Sequence, residues 1–200
     1  MFRNPHPVYL VDDEINVLES LQFLLESYGY QLQAFYCGQQ FLQQVDAQQA
    51  GCVVLDSRMP GMNGQEVQRW LNQHHSPLGI IYLTGHGDVP MAVEALKEGA
   101  CDFFQKPVDG DALVKAIDHA LEQSATRAEQ YNMQSKLKSL TKRERDIAEL
   151  VVKGMKNQEM ADALCVSLRT IEVHRANVMK KLEVSNIAGL IRSIGRYLPE

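Results

Sequence analysis

Four short apolar runs each end on a polar group. Val8-Tyr9-Leu10-Val11 leads into Asp12-Asp13-Glu14, and Cys52-Val53-Val54-Leu55 into Asp56. Ile80-Ile81-Tyr82-Leu83 leads into Thr84, and Phe103-Phe104-Gln105 into Lys106-Pro107. Continuous apolar runs this short are what strands covered on both faces require. Between them lie segments of helical period: Val17, Leu18, Leu21, Leu24 and Leu25, then Gly38 to Val45, then Gln65 to Asn72, then a helix opened by Asp88-Val89-Pro90, then Asp111 to Leu121. With Gln31 to Tyr36 as a further strand, five β-α pairs alternate. That alternation predicts an α/β fold, a five-stranded parallel doubly wound sheet with right-handed connections. Groups at the carboxyl ends of such strands converge on one rim, where ligands bind.

The rim therefore gathers carboxylates, a hydroxyl and a lysine. Phosphoryl transfer is mostly positioning and electrostatic stabilisation. Asp12, Asp13 and Asp56 supply hard oxygens suited to a divalent cation such as Mg2+ or Mn2+. One carboxylate can attack phosphorus. Lys106 can neutralise a phosphoryl oxygen and Thr84 can donate to another. The histidines His74, His75 and His86 have no ligand spacing and read as surface or loop residues.

Charge divides the chain. Residues 1–124 carry 6 Lys and Arg against 16 Asp and Glu, and residues 125–200 carry 14 against 9. An acidic module joined to a basic one points to a partner that is a polyanion. The four cysteines, Cys37, Cys52, Cys101 and Cys165, form no C-x-x-C pair, so neither zinc nor a disulfide framework is suggested. Met1 to Pro7 lacks the apolar core of a signal peptide and no run approaches membrane-spanning length; the expected setting is cytoplasmic, with no membrane partner.

Glu122 to Ser139 is polar and reads as linker rather than core, able to prolong the preceding helix. The segment after it is all helical. Thr141-Lys142-Arg143-Glu144 is a capping box opening a helix that stops at Gly154. Asn157 can cap a short helix over Gln158 to Leu164, and Ser167 caps a third. The third directs Ile171, Val178 and Leu182 inward and is otherwise polar and cationic, so the pair forms a helix-turn-helix. Ser167, Arg169, Thr170, Glu172, His174, Arg175, Lys180 and Lys181 are the candidate DNA contacts, with Arg175, Lys180 and Lys181 on phosphates. Ile187, Leu190, Ile191 and Ile194 form a separate apolar stripe able to pack on the three-helix core.

Residues 5–123 resemble a response-regulator receiver domain. The resemblance rests on Asp12-Asp13, on Leu55-Asp56-Ser57-Arg58-Met59-Pro60-Gly61-Met62-Asn63-Gly64, on Thr84-Gly85 and on Lys106-Pro107. It implies that Asp56 accepts phosphate from a sensor histidine kinase. It implies a metal held by Asp13, Asp56 and the Arg58 carbonyl, with Asp12 acting through water. Thr84 and Lys106 would bind the phosphoryl group, Phe103 would be the switch aromatic, and Lys106–Pro107 would be a cis peptide. Leu140-Thr141-Lys142-Arg143-Glu144 and Ser167-x-x-Thr170-Ile171-Glu172-Val173-His174-Arg175-Ala176-Asn177-Val178-Met179 resemble the LuxR-type DNA-binding domain. Together the two resemble the NarL/FixJ class, on the FixJ branch; one member type so suggested is a tetrathionate-respiration regulator.

The expected layout is a receiver over 1–123, a helical linker over 124–137 and an all-α helix-turn-helix domain over 138–200. The implied partners are a sensor histidine kinase, duplex DNA, a second copy on phosphorylation, and RNA polymerase; in this class the last helix, here with Ile187, Leu190, Ile191 and Ile194, carries the contact between copies as well as core packing. No enzyme activity beyond self-phosphorylation and dephosphorylation at Asp56 is expected. A phosphatase with an aspartyl nucleophile needs a second Asp two residues on, where this chain has Arg58. An RNA-binding output would expose stacking aromatics, and residues 139–196 contain none. Where the family commonly has Gly in the helix-turn-helix turn, this chain has Cys165. A left-handed backbone there carries strain; the alternative role is a redox-sensitive thiol.

Overall fold

The structure, a computed structural model, describes residues 4–85 and 89–195. The chain divides into two compact units, Met1–Ala128 and Glu129–Glu200. The first contains β1 (Val8–Val11), α1 (Ile15–Ser27), β2 (Leu32–Phe35), α2 (Gly38–Gln44), β3 (Cys52–Leu55), α3 (Gly64–Gln73), β4 (Gly79–Thr84), α4 (Val89–Lys97), β5 (Asp102–Gln105) and most of α5 (Gly110–Lys138). All strand pairs are parallel, in the order β2-β1-β3-β4-β5. The order reverses direction between β1 and β3, which is where such sheets bind ligands.

Strand side chains alternate between faces, and each face has its own core. Val8, Leu10, Cys52, Val54, Ile81 and Leu83 pack under Leu18, Leu21 and Leu25 of α1 and Leu113, Ile117 and Leu121 of α5. Tyr9, Val11, Val53, Leu55, Ile80 and Tyr82 pack under Phe41 of α2, Val67 and Leu71 of α3 and Ala95 of α4. Each large apolar side chain buried this way contributes roughly 1.5–3 kcal/mol. Register lines up the strand ends: Val11 pairs with Leu55, and Leu55 with Tyr82. The Asp12 N–H bonds the Phe35 carbonyl at 3.1 Å, the Asp56 N–H the Val11 carbonyl at 2.8 Å and the Lys106 N–H the Thr84 carbonyl at 2.9 Å. These bonds extend the ladder one step past the strands and bring the functional groups together.

The second unit contains the end of α5 with α6 (Lys142–Val152), α7 (Asn157–Ala163), α8 (Leu168–Lys181) and α9 (Ile187–Ile194). Its core is Ile147, Ala148, Val151, Met160, Ile171, Val178, Leu182, Leu190 and Ile194. The polar stretch after Glu122 does prolong the preceding helix, but not as bare linker. Met133 and Leu137 of α5 pack against this second core. Thr141 caps α6 with the reciprocal Glu144 bond, and Ser167 caps α8 through the Thr170 N–H. At α7 the expected cap is displaced by one residue. Lys156 stands at the N-cap, its N–H donating to Glu159 Oε2 at 2.7 Å, while the Asn157 side chain accepts from Arg175 instead.

Cys165 has φ of +52°. Its N–H bonds the Asp162 carbonyl and the Val166 N–H bonds the Ala161 carbonyl, the paired closure of a helix whose next residue must be left-handed. A side chain in that conformation costs roughly 1–2 kcal/mol, part of which glycine's greater freedom in the unfolded chain gives back. Cys165→Gly should therefore raise stability by about 0.5–1 kcal/mol, read as a higher midpoint in thermal or urea unfolding. A lower midpoint would mean that the thiol is held by its surroundings.

Candidate functional site

The rim pocket begins with two buried carboxylates, Asp12 at 3% exposure and Asp56 at 6%, and the exposed Asp13 beside them. One ligand oxygen from each of the three lies within 4.8 Å of the others. Lys106, after β5, reaches back across the sheet end. Its Nζ lies 2.6 Å from Asp12 Oδ2, 3.1 Å from Glu14 Oε1 and 4.0 Å from Asp56 Oδ1. The Lys106–Pro107 peptide is cis. Thr84 ends β4 at 1% exposure, its hydroxyl 2.6 Å from that of Ser57. Phe103 is half-buried on β5, its ring 5.8 Å from that of Tyr82.

The electrostatics follow from this crowding. Burial raises the Asp56 carboxyl above its usual range; Lys106 pulls it back, the Asp12 charge raises it again, and hydrogen bonds from Thr84 and from the Ser57 N–H lower it. For Lys106, burial alone would lower the ammonium. Hydrogen bonds to Asp12 and Glu14 and the charges of Asp12 and Asp56 outweigh that and raise it. Lys106 is thus held charged against several carboxylates, and the pocket keeps an excess of negative charge. Such an excess suits a hard divalent cation with oxygen ligands.

The loop from β3 to α3 is set by close packing. A Cβ on Gly64 would lie 2.4 Å from the Asp56 carbonyl oxygen and 2.9 Å from Tyr82 Cε1. Asn63 caps α3 through the Glu66 N–H, with Glu66 returning to the Asn63 N–H. Arg58 lies in this loop with its side chain exposed.

In the second unit, α8 presents Ser167, Arg169, Glu172 and Lys180 exposed, and Thr170 half-buried. Two of the expected DNA contacts also bond within the second unit. Lys181 Nζ lies 2.6 Å from Glu144 Oε2 and 3.2 Å from the Ser139 carbonyl. Arg175 bonds Asn157 of α7. The His174 Nδ1 is buried. Lys181 and Arg175 thus tie α8 to α6 and α7. Hydrogen bonding to Lys181 and to the Thr141 N–H lowers the Glu144 carboxyl to about 2.

A model of the response regulator receiver domain matches residues 8–118, and one of the luxR family of bacterial regulatory proteins matches residues 138–194. The chain is a response regulator. The tetrathionate response regulatory protein TtrR of Salmonella typhimurium is 45% identical, over 92% of this chain and 90% of that one. The transcriptional regulatory protein FixJ of Bradyrhizobium diazoefficiens is 40% identical over 92% of each. The solved structure of response regulator StyR is 38% identical, covering 96% of this chain and 98% of that one, with a TM-score of 0.71. These relations place the regulator in the NarL/FixJ class, as a phospho-aspartate-dependent regulator of transcription with a receiver and a LuxR-type helix-turn-helix unit.

Other residues sort more finely than their pattern. Of the apolar stripe on α9, Leu190 and Ile194 are core at 2% and 0% exposure, so neither is free to meet a second copy; Ile187 and Ile191 are exposed. His74 is exposed and stacks on Trp70; His75 closes α3 at φ of +51°; His86 lies outside the described residues. Two residues of the regulator carry contacts that the sequence motifs did not single out. Ser57 pairs with Thr84. Gln68, fully buried on α3, accepts from the Tyr82 hydroxyl at 2.9 Å and donates to the Ala95 carbonyl at 3.0 Å, joining α3, β4 and α4. A glutamine between Val67 and Leu71 on an inner helix face was the available signal.

Proposed function

We propose that Asp56 is the phosphoacceptor and that its phosphorylation controls DNA binding by the helix-turn-helix unit. The observation that carries this reading is the meeting of Asp12, Asp13, Asp56, Thr84 and Lys106 at one rim. An Asp56 oxygen attacks phosphorus as the bond from phosphorus to a kinase phosphohistidine breaks, and the imidazole nitrogen takes that electron pair. Lys106 holds one phosphoryl oxygen and Thr84 donates to another. Asp12, Asp13, Asp56 and the Arg58 carbonyl would hold Mg2+ or Mn2+, which supplies positive charge to the phosphoryl oxygens when bound. Phe103 and Thr84 relay the change.

The division of labour is a receiver over 1–123, a helical connection over 124–137 and a DNA-binding domain over 138–200. Arg169, Thr170, Glu172, His174 and Lys180, with Ser167 at the helix start, form the surface offered to duplex DNA. Ile187 and Ile191 are the exposed apolar pair available for a second copy, and pairing on phosphorylation would set two recognition helices about one DNA turn apart. The partners are a sensor histidine kinase, DNA and RNA polymerase, all met in the cytoplasm, and among the described residues no helix is long and apolar enough to cross a membrane. Similarity to TtrR supports tetrathionate as the stimulus; transcription of target genes measured with and without tetrathionate tests that.

The deciding experiment is duplex-DNA affinity with and without acetyl phosphate and Mg2+. Tighter binding on phosphorylation is expected, and equal binding in both states would overturn the coupling. For the metal, Asp13→Ala should weaken Mg2+ binding at least about tenfold. The metal-free protein should be as stable or slightly more so, because clustered carboxylates repel. Unchanged Mg2+ affinity by titration calorimetry would exclude Asp13 as a ligand.

A further inference from the structure

Glu14 follows the two aspartates of the rim, yet none of the roles above uses its side chain. It stands at the N-cap of α1, its backbone still extended at φ of −88° and ψ of 104°. A side chain there ordinarily accepts from an N–H of the first helical turn. Glu14 makes no such bond. Its N–H donates to Asp12 Oδ1 at 2.9 Å, and its carbonyl accepts from the N–H groups of Val17 and Leu18, so the backbone fixes its place. The carboxylate turns instead to Lys106, where Oε1 accepts from Nζ at 3.1 Å.

Lys106 is the contested partner. An ammonium has three protons. Asp12 lies 2.6 Å from it and Glu14 3.1 Å, while Asp56, the group whose phosphoryl it would serve, is the farthest at 4.0 Å. A divalent cation acts on these carboxylates unequally. Asp12, Asp13 and Asp56 form the cluster that would hold it and share its charge; Glu14 is not part of that cluster. With the cation bound, Glu14 keeps its whole charge on the lysine.

We propose that Glu14 competes with the phosphoryl group for Lys106, and so holds down the affinity of the resting pocket for phosphoryl and the rate at which it accepts one. A phosphoryl oxygen arriving at Asp56 must draw the ammonium against the pull of Glu14. The Glu14 side chain is 63% exposed and that of Lys106 15%. The pull is therefore that of an ion pair open to water on one side, a few-fold adjustment rather than a lock. Glutamine at this position would keep the shape and the acceptor oxygen and remove the charge. This inference rests on Lys106 being the cation that binds the phosphoryl group.

The test uses the full chain with Glu14→Gln, Lys106→Gln and the Glu14→Gln/Lys106→Gln pair. Two quantities are measured in Mg2+ at low ionic strength: the affinity for beryllofluoride and the rate of phosphoprotein formation from acetyl phosphate. Glu14→Gln removes no capping bond and should raise both by about two- to fivefold, the worth of one exposed ion pair. Lys106→Gln should weaken beryllofluoride binding. In that background Glu14→Gln should return less than about half of its gain in log affinity, because only repulsion through solvent is left to relieve. A gain that stays above half without the lysine makes Glu14 a general source of negative field and overturns the proposal. So does a Glu14→Gln protein that binds beryllofluoride more weakly, which would make Glu14 a support that holds Lys106 in place. Loss with Lys106→Gln but no gain with Glu14→Gln leaves the Lys106 reading standing and removes only Glu14. No loss with Lys106→Gln removes both.

Discussion

Asp56→Asn will abolish phosphoprotein formation with acetyl phosphate and Mg2+, a loss of more than about a thousandfold, while the protein remains folded. The substitution keeps the size of the side chain and removes the nucleophilic oxygen. Folding should not suffer, because the Asp56 charge is costly where it sits: burial raises its carboxyl, and the neighbouring Asp12 adds to that. Lys106 keeps its shorter contacts to Asp12 and Glu14 when the 4.0 Å contact to Asp56 is lost. Asn can still accept from the Ser57 N–H. The metal-free variant should therefore melt at or slightly above the parent temperature. Phosphate-affinity gel shift and thermal unfolding check the two halves of this expectation. Labelling at the parent level would place the acceptor on another carboxylate, with Asp12 and Asp13 the nearest. Loss of labelling together with loss of folding would make Asp56 structural.

The sheet and its rim were legible because two simple periodicities were intact. Strand residues alternate faces, so Tyr9, Val53 and Tyr82 meet one set of helices and Leu10, Val54 and Ile81 the other. In a parallel sheet with aligned register, residues at or one step past the strand ends must be neighbours, so Asp12, Asp56, Thr84 and Lys106 group from the sequence. What could not be read were contacts between elements whose spacing in sequence carries no rule. Lys181 and Lys180 are adjacent cations on one helix, yet only Lys181 meets Glu144, 37 residues earlier. Arg175 is drawn to Asn157 in the same manner. Ile187 and Leu190 share a stripe, but a helix on a small core buries only one edge of it. The polar end of α5 looked solvated because two inward side chains, Met133 and Leu137, are thin evidence among charged neighbours.

Lys181→Met should destabilise the second unit by about 2 kcal/mol, lowering its melting temperature by roughly 10 °C. Glu144 is 4% exposed and accepts from the Thr141 N–H at 2.8 Å and from Lys181 at 2.6 Å. Removing the lysine leaves a buried carboxylate with its capping bonds but no counter-charge. The cost falls below the 3–5 kcal/mol of a fully buried pair because Lys181 is itself partly open to solvent. The effect must depend on pH, with a definite sign. Glu144 is lowered from an ordinary 4.5 to about 2 in the folded protein. Its contribution is therefore fully present above about 4.5 and declines as pH falls toward 2. The gap between parent and Lys181→Met should be widest near neutrality and narrow between pH 4.5 and 2. Lys180→Ala supplies the contrast. Lys180 is exposed and takes no part in the Glu144 contact. Its loss should leave the melting temperature unchanged, weaken binding to all duplexes alike and reduce the salt slope by about one unit. Lys181→Met, assayed well below its melting temperature, should keep the parent slope. A reversal, in which Lys181→Met is stable and loses one unit of slope, would return Lys181 to the DNA surface and free Glu144 from its counter-charge.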